Sequence, residues 1–89
     1  MTDSNTLMRV MLERAAARGP DKSICPSEVA RHVGGSDEEV WRPLMQPIRK
    51  VAVGLANAGK IDIKKGGEVV DPETFTGIYR IGIKTRNSD

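Results

Sequence analysis

Eighty-nine residues, 38% hydrophobic and 29% charged, are the make-up of one small globular domain. The single cysteine excludes an internal disulfide and a two-cysteine metal site. Three aromatics (Trp41, Phe75 and Tyr79) are too few to stack successive bases of a single strand, and 14 Lys and Arg against 12 Asp and Glu leave a net +2 that demands no polyanionic partner.

Apolar runs such as Val51 to Val53 fall far short of the ~20 residues of a membrane-spanning helix. Residues 1–5 lack the basic stretch and apolar core of a secretory leader. A cytoplasmic chain with no membrane or metal partner is expected. Its single domain is expected over 6–84, between disordered ends at 1–5 and 85–89.

The first helix is expected over 6–18. Ser4, Asn5 and Thr6 offer capping oxygens. Leu7, Val10, Met11 and Ala15 recur at helical spacing, Met8, Leu12 and Ala16 widen the stripe, and Gly19-Pro20 stop it. Ile24 anchors the connector over 19–25, where an extended pair of residues can add a short edge strand to a later sheet. Pro26 suits a first helical position and opens a second helix over 26–33. Val29, Ala30 and Val33 face inward there, and Gly34-Gly35 end it.

Ser36 to Glu39 forms a Ser-x-x-Glu capping box. Pro43 and Pro47 each lack an amide proton, which predicts a short helical segment over 37–42, a break, and a main third helix from 44–47 to 58. Leu44, Ile48, Val51, Leu55 and Ala58 form its expected inward face, with Gly59 as the cap. Beyond Gly59 the period falls to two. Ile61 and Ile63 alternate with Lys60, Asp62 and Lys64, Gly66-Gly67 turn a hairpin, and Glu68 to Val70 return along it. Asp71 to Thr74 reads as a turn. A last strand over 78–83 directs Tyr79, Ile81 and Ile83 to the core.

Three helices followed by a hairpin unit make an α+β winged helix, a helix-turn-helix core with a β-hairpin wing. The step from Leu55 through Gly59 to Ile61 fits the exit from the third helix of such a fold. Several segments also resemble a known family: Cys25 to Arg31, Trp41 to Met45, Ile48 to Ala52, Leu55 to Gly59, Val70 to Pro72, and the strand from Gly77 to Arg80. They are similar to a small bacterial domain family of unknown function, over roughly residues 7–83. The resemblance implies a winged-helix-like fold and no assigned activity, substrate or catalytic residue. Some members of that family carry a small cysteine-rich module, which has no counterpart here.

A winged helix sets its third helix in the major groove of duplex DNA. With the inward face above, Gln46, Arg49, Lys50, Val53 and Asn57 lie outward. Arg49 and Lys50 suit phosphates or guanine, and Gln46 or Asn57 suits an adenine edge. Arg42 precedes the helix, and Lys64 and Lys65 reach out from the hairpin tip. From Arg42 to Lys65, six cations against Asp62 leave a local +5, whereas Pro26 to Glu39 holds four acids against Arg31. Duplex DNA is the expected partner. The alternative is a structural or protein-contact winged helix without nucleic-acid binding, meeting a protein partner or a second copy through exposed apolar residues of the first helix such as Met8 and Leu12.

No constellation supports an enzyme or a cofactor. Cys25 precedes a helix, where a thiolate is favoured, but no second cysteine is present to resolve it. His32 lies seven residues further on, about 10 Å along a helix. A structural cap is the expected role of Cys25, and a surface position that of His32. Glu28, Glu38 and Glu39 suit the first turns of helices. Trp41 is expected in the core, and Arg80 as a surface cation or a partner of Glu73 or Asp71.

Overall fold

The computed structural model describes residues 3–84; the parts of the expected disordered ends at 1–2 and 85–89 lie outside them. Helix α1 (Ser4–Arg18) begins ahead of the expected residue 6, because Asp3 Oδ1 accepts from the Thr6 amide at 2.8 Å. Asp3 is therefore the cap, and Ser4 and Asn5 are helical rather than disordered. Leu7, Val10, Met11 and Ala15 form its buried face, while Met8 and Leu12 are half-buried against the same core. Those two residues are thus engaged within the domain and do not form an exposed apolar face.

Helix α2 (Pro26–Gly34) starts at Pro26 as the sequence predicts and buries Val29 and Ala30. The next cap is Asp37, whose carboxylate accepts from the Glu39 amide at 3.0 Å. Ser36 does not fill that role, since the shorter Asx geometry wins one residue later. A single turn, α3 (Glu38–Trp41), leads into a 3₁₀ turn (Arg42–Leu44), and then α4 runs over Met45–Asn57. Pro43 falls inside the 3₁₀ turn and Pro47 in the first turn of α4, where few amides have helical partners. The two prolines therefore separate segments without breaking α4.

Ile48, Ala52 and Leu55 make the buried face of α4, whereas Leu44 and Val51 are half-buried and Ala58 is exposed. The inward face is rotated from the expected one. A 3₁₀ turn has 3.0 residues per turn, so Leu44 loses phase with Ile48.

Strands β1 (Ile61–Lys65), β2 (Glu68–Val69) and β3 (Arg80–Ile83) form an antiparallel sheet in the order β2-β1-β3. Gly66 and Gly67, at φ 59° and 86°, make the tight turn between β1 and β2. Ile61 opposes Ile83 and Ile63 opposes Ile81, so the isoleucines share the face under the helices. On the far side of β3, Ile24 and Ile81 exchange backbone hydrogen bonds of 2.8 and 2.9 Å. That bridge is the expected edge pairing from the connector, and both side chains are fully buried. Helices followed by a three-stranded antiparallel sheet make an α+β fold compatible with a winged-helix arrangement.

Ile81 pairs with a neighbour on either side and is fully buried. Ile81→Ala is expected to lower unfolding stability by about 2–5 kcal/mol, a large part of a small domain's total. Urea denaturation measures this, and a loss under about 1 kcal/mol contradicts the placement of Ile81 in the core, between β1 and the Ile24 bridge.

Candidate nucleic-acid interface

Helix α4 contains no acidic residue and turns Gln46, Lys50, Gly54 and Asn57 to solvent. Steps of four, four and three place these positions along one stripe. The stripe lies opposite Ile48, Ala52 and Leu55, which fix the rotation of the helix.

Seven side chains are candidates for contact with nucleic acid, and the fold engages several of them. Gln46 and Lys50 are exposed on the stripe. Asn57 shares it, but its Nδ2 donates to Glu73 Oε2 at 2.6 Å. Arg42 is 68% exposed at the end of α3, pairs with Glu38 one turn back, and lies 5.9 Å from the Trp41 ring centre.

Arg49 does not stand outward. Its Nη2 donates to the Phe75 carbonyl at 2.8 Å, and its guanidinium sits 4.1 Å over the Phe75 ring and 5.7 Å from that of Tyr79. A planar cation with five donors meets both a ring face and a loop carbonyl there. The hairpin lysines fold back as well. Lys65 Nζ donates to the Thr76 carbonyl, and the end of Lys64 lies over Gly82, where an added Cβ would come within 3.1 Å of its Cε. Neither projects from the Gly66-Gly67 tip, because loop carbonyls and the β3 backbone lie within reach of their stems.

Arg49 and Lys65 hold the segment from Asp71 to Tyr79. Asp71 Oδ1 accepts from the Glu73 amide at 2.8 Å and closes the predicted turn. Phe75 and Tyr79 then meet edge to face, with ring centres 5.1 Å apart, and both are buried. Arg80 lies on the other side of the strand and donates to Ser23 Oγ and the Ser23 carbonyl at 2.7 and 3.0 Å. It pairs with neither Glu73 nor Asp71, since the connector ahead of Ile24 runs closer.

Two associations escape a reading of the sequence. Arg31 lies 4.9 Å from the Trp41 ring centre and so shares that ring with Arg42. Trp41 is half-buried, packed on the core yet bearing cations, a position between core anchor and surface residue. Glu28 binds Arg14 at 2.9 Å and Arg18 at 3.7 Å, so its partners are cations of α1 as well as a helix terminus. Neither association follows a local period.

Cys25 is the N-cap residue of α2, as expected, but is half-buried and accepts from Ser27 Oγ at 3.0 Å. It lines an open concavity of about 440 Å³ with Arg14, Ser27, Glu28, Arg31 and His32. Among the described residues no group of three or more His, Cys, Asp or Glu is placed to hold a metal. No helix there is long and apolar enough to cross a membrane.

A family model described as a protein of unknown function (DUF3253) matches residues 4–84. The chain belongs to the DUF3253 family. No curated protein matches it. The DUF3253 match runs from the first residue of α1 to the residue after β3, so the family corresponds to the whole fold described here. This agrees with the resemblance to a small family of unknown function, and it assigns no activity to any side chain.

Arg49 and Lys50 are adjacent in this DUF3253 domain but differ in role. Arg49→Ala is expected to cost about 2 kcal/mol of stability, from a charged hydrogen bond and a ring contact. Lys50→Ala should stay within about 0.5 kcal/mol of the parent. Paired denaturation curves check the difference, and equal stabilities contradict the clamp.

Tyr79 supplies a pH test of the same contact. Burial pushes its hydroxyl up to about 12, against the lowering effect of Arg49 and with a smaller raising effect from Cys25. An unfolded tyrosine titrates near 10. Between those values the unfolded chain has released a proton that the fold retains. The associated stability is therefore complete below about pH 10 and is lost as pH rises toward 12. Tyr79→Phe should remove that fall. It should be no less stable at neutral pH, because the buried hydroxyl has no hydrogen-bond partner. The chain has one tyrosine, so phenolate absorbance of the parent reads the titration directly.

Proposed function

We propose that this domain is a non-catalytic module that binds duplex DNA, with the solvent face of α4 against the major groove. The observation that carries this reading is the acid-free stripe of α4, where Gln46 and Lys50 stay exposed. A helix of this size enters the major groove, and a Gln there can bridge an adenine edge. Lys50 neutralises a phosphate, and Arg42 does the same once it exchanges Glu38 for the DNA backbone. Arg49 takes a different role from the one its position in the sequence suggests: it fixes the 71–79 segment beside α4 rather than touching the duplex.

A protein-contact module is the second reading, and Ile78 favours it. This side chain is 87% exposed and lines an apolar concavity of about 440 Å³ with Cys25, Pro26, Met45, Gly77 and Tyr79. Contact through this face predicts a mass that rises with protein concentration, or a recovered partner, and loss of either in Ile78→Ser.

Fluorescence anisotropy with a mixed-sequence duplex tests the DNA reading. Binding should weaken steeply as salt rises, and Lys50→Ala should reduce the magnitude of the log–log slope by about 1. Glu38→Gln should strengthen binding by freeing Arg42. Absence of binding at ~50 mM salt, which favours such contacts, overturns the reading.

A further inference from the structure

The chain has nine glycines, and eight of them sit either at positive φ or in crowded surroundings. Six hold positive φ in turns or at helix ends, a conformation that side chains rarely adopt. Gly34 is crowded: a Cβ there would stand 3.2 Å from Leu44 Cδ1 and 3.2 Å from Trp41 Cα. Gly82 is crowded too, with Lys64 Cε at 3.1 Å and the Lys22 carbonyl at 3.2 Å. Gly54 is different.

Gly54 is the tenth of the 13 residues of α4, and its φ is not positive. Its carbonyl accepts from the Ala58 amide at 3.0 Å, an ordinary bond to the fourth residue on. A Cβ built on it meets nothing within 4 Å. Glycine is the poorest residue but proline for a helix interior, and nothing inside the domain calls for it here. Such a local conflict, unrelieved by internal packing, is characteristic of a functional surface. The position is one turn beyond Lys50 and one turn before Asn57 and Ala58, both exposed, on the same solvent stripe. Lacking Cβ, the backbone at Gly54 lies open between longer side chains.

We infer that Gly54 is a close-approach point, where the wall of a DNA groove meets the backbone of α4 while Lys50 reaches a phosphate one turn away. This rests on the duplex-binding reading above and adds a positioning residue to it. Its role is steric: the methyl group of any larger residue holds the helix away from the groove and lengthens the contacts made by Lys50 and Gln46.

The prediction separates stability from binding. Gly54→Ala should melt a few degrees higher than the parent, about 4 °C or more, because alanine is the better helix former. It should also bind the mixed duplex about tenfold more weakly, the effect of preventing one base or phosphate contact. Lys50→Ala should weaken binding without the rise in melting temperature. A Gly54→Ala variant that melts higher and binds as the parent does overturns the role of Gly54 and leaves the duplex reading standing. A variant that melts lower overturns the inference too, by showing that the position is packed. A parent that binds no duplex overturns both.

Discussion

The Arg49 guanidinium is the contact on which one side of the fold depends. Phe75 and Tyr79 supply two of only three aromatic side chains, and both come from a segment with no helix or strand between Asp71 and Tyr79. An irregular segment has no ladder to hold it, so side chains must satisfy its carbonyls. Arg49 does so at Phe75 and Lys65 at Thr76, while Asn57 meets Glu73. With these contacts in place the two rings pack edge to face in the buried core, beneath the Arg49 guanidinium of α4. Without them a thin domain loses much of its large apolar surface on that side.

Much of this architecture is legible along the chain because its signals are local. Gly19-Pro20, Pro26, Gly59 and Gly66-Gly67 mark ends and turns through backbone restrictions that no distant residue alters. The alternation of Ile61 with Ile63, and of Tyr79 with Ile81, sets the buried face of each strand. Even the Ile24 edge pairing is visible, as one strongly apolar residue in a polar connector. The helix caps and the rotation of α4 are less legible. Asp3 caps in place of Ser4, Asn5 or Thr6, and Asp37 in place of Ser36, because several side chains in each cluster can accept from the same amides and small differences in backbone entry decide among them. Ala52, fully buried, carries little hydropathy signal, so the rotation of α4 is hidden by the larger Leu44 and Val51 beside it.

The candidate interface is less legible because its residues are chosen by distant partners. Arg49 and Phe75 are 26 positions apart, and Arg80 and Ser23 are 57 apart. Nothing in the sequence around an arginine says whether it will meet a ring, a carbonyl or water. Gln46 and Lys50 are read correctly as solvent-facing because helical geometry alone decides them once Ile48 is known to be inside. Gly54 shows the converse. Its meaning appears only when the space around it is known to be open, since a packed glycine and an unpacked one look alike in a sequence.

A bond to a carbonyl and a bond to a carboxylate have different electrostatic consequences, and the difference bears on what the local +5 means. Arg42 pairs with Glu38, while Arg14 and Arg18 share Glu28, so acids offset the fields of those cations. Arg49 and Lys65 bind neutral carbonyls, which fix their positions without cancelling their charge. Among the described residues, the ion pairs do not include Arg49, Lys50, Lys64 or Lys65. At physiological ionic strength a charge is felt over about 8 Å. Arg49 and Lys65 therefore keep a positive field near α4 and the hairpin. The fold thus lets one cation both hold a loop and contribute to the local positive field. Under the proposed duplex-binding reading, that double use leaves direct contact to Gln46, Lys50 and Gly54 on the stripe, and to Arg42 once it leaves Glu38.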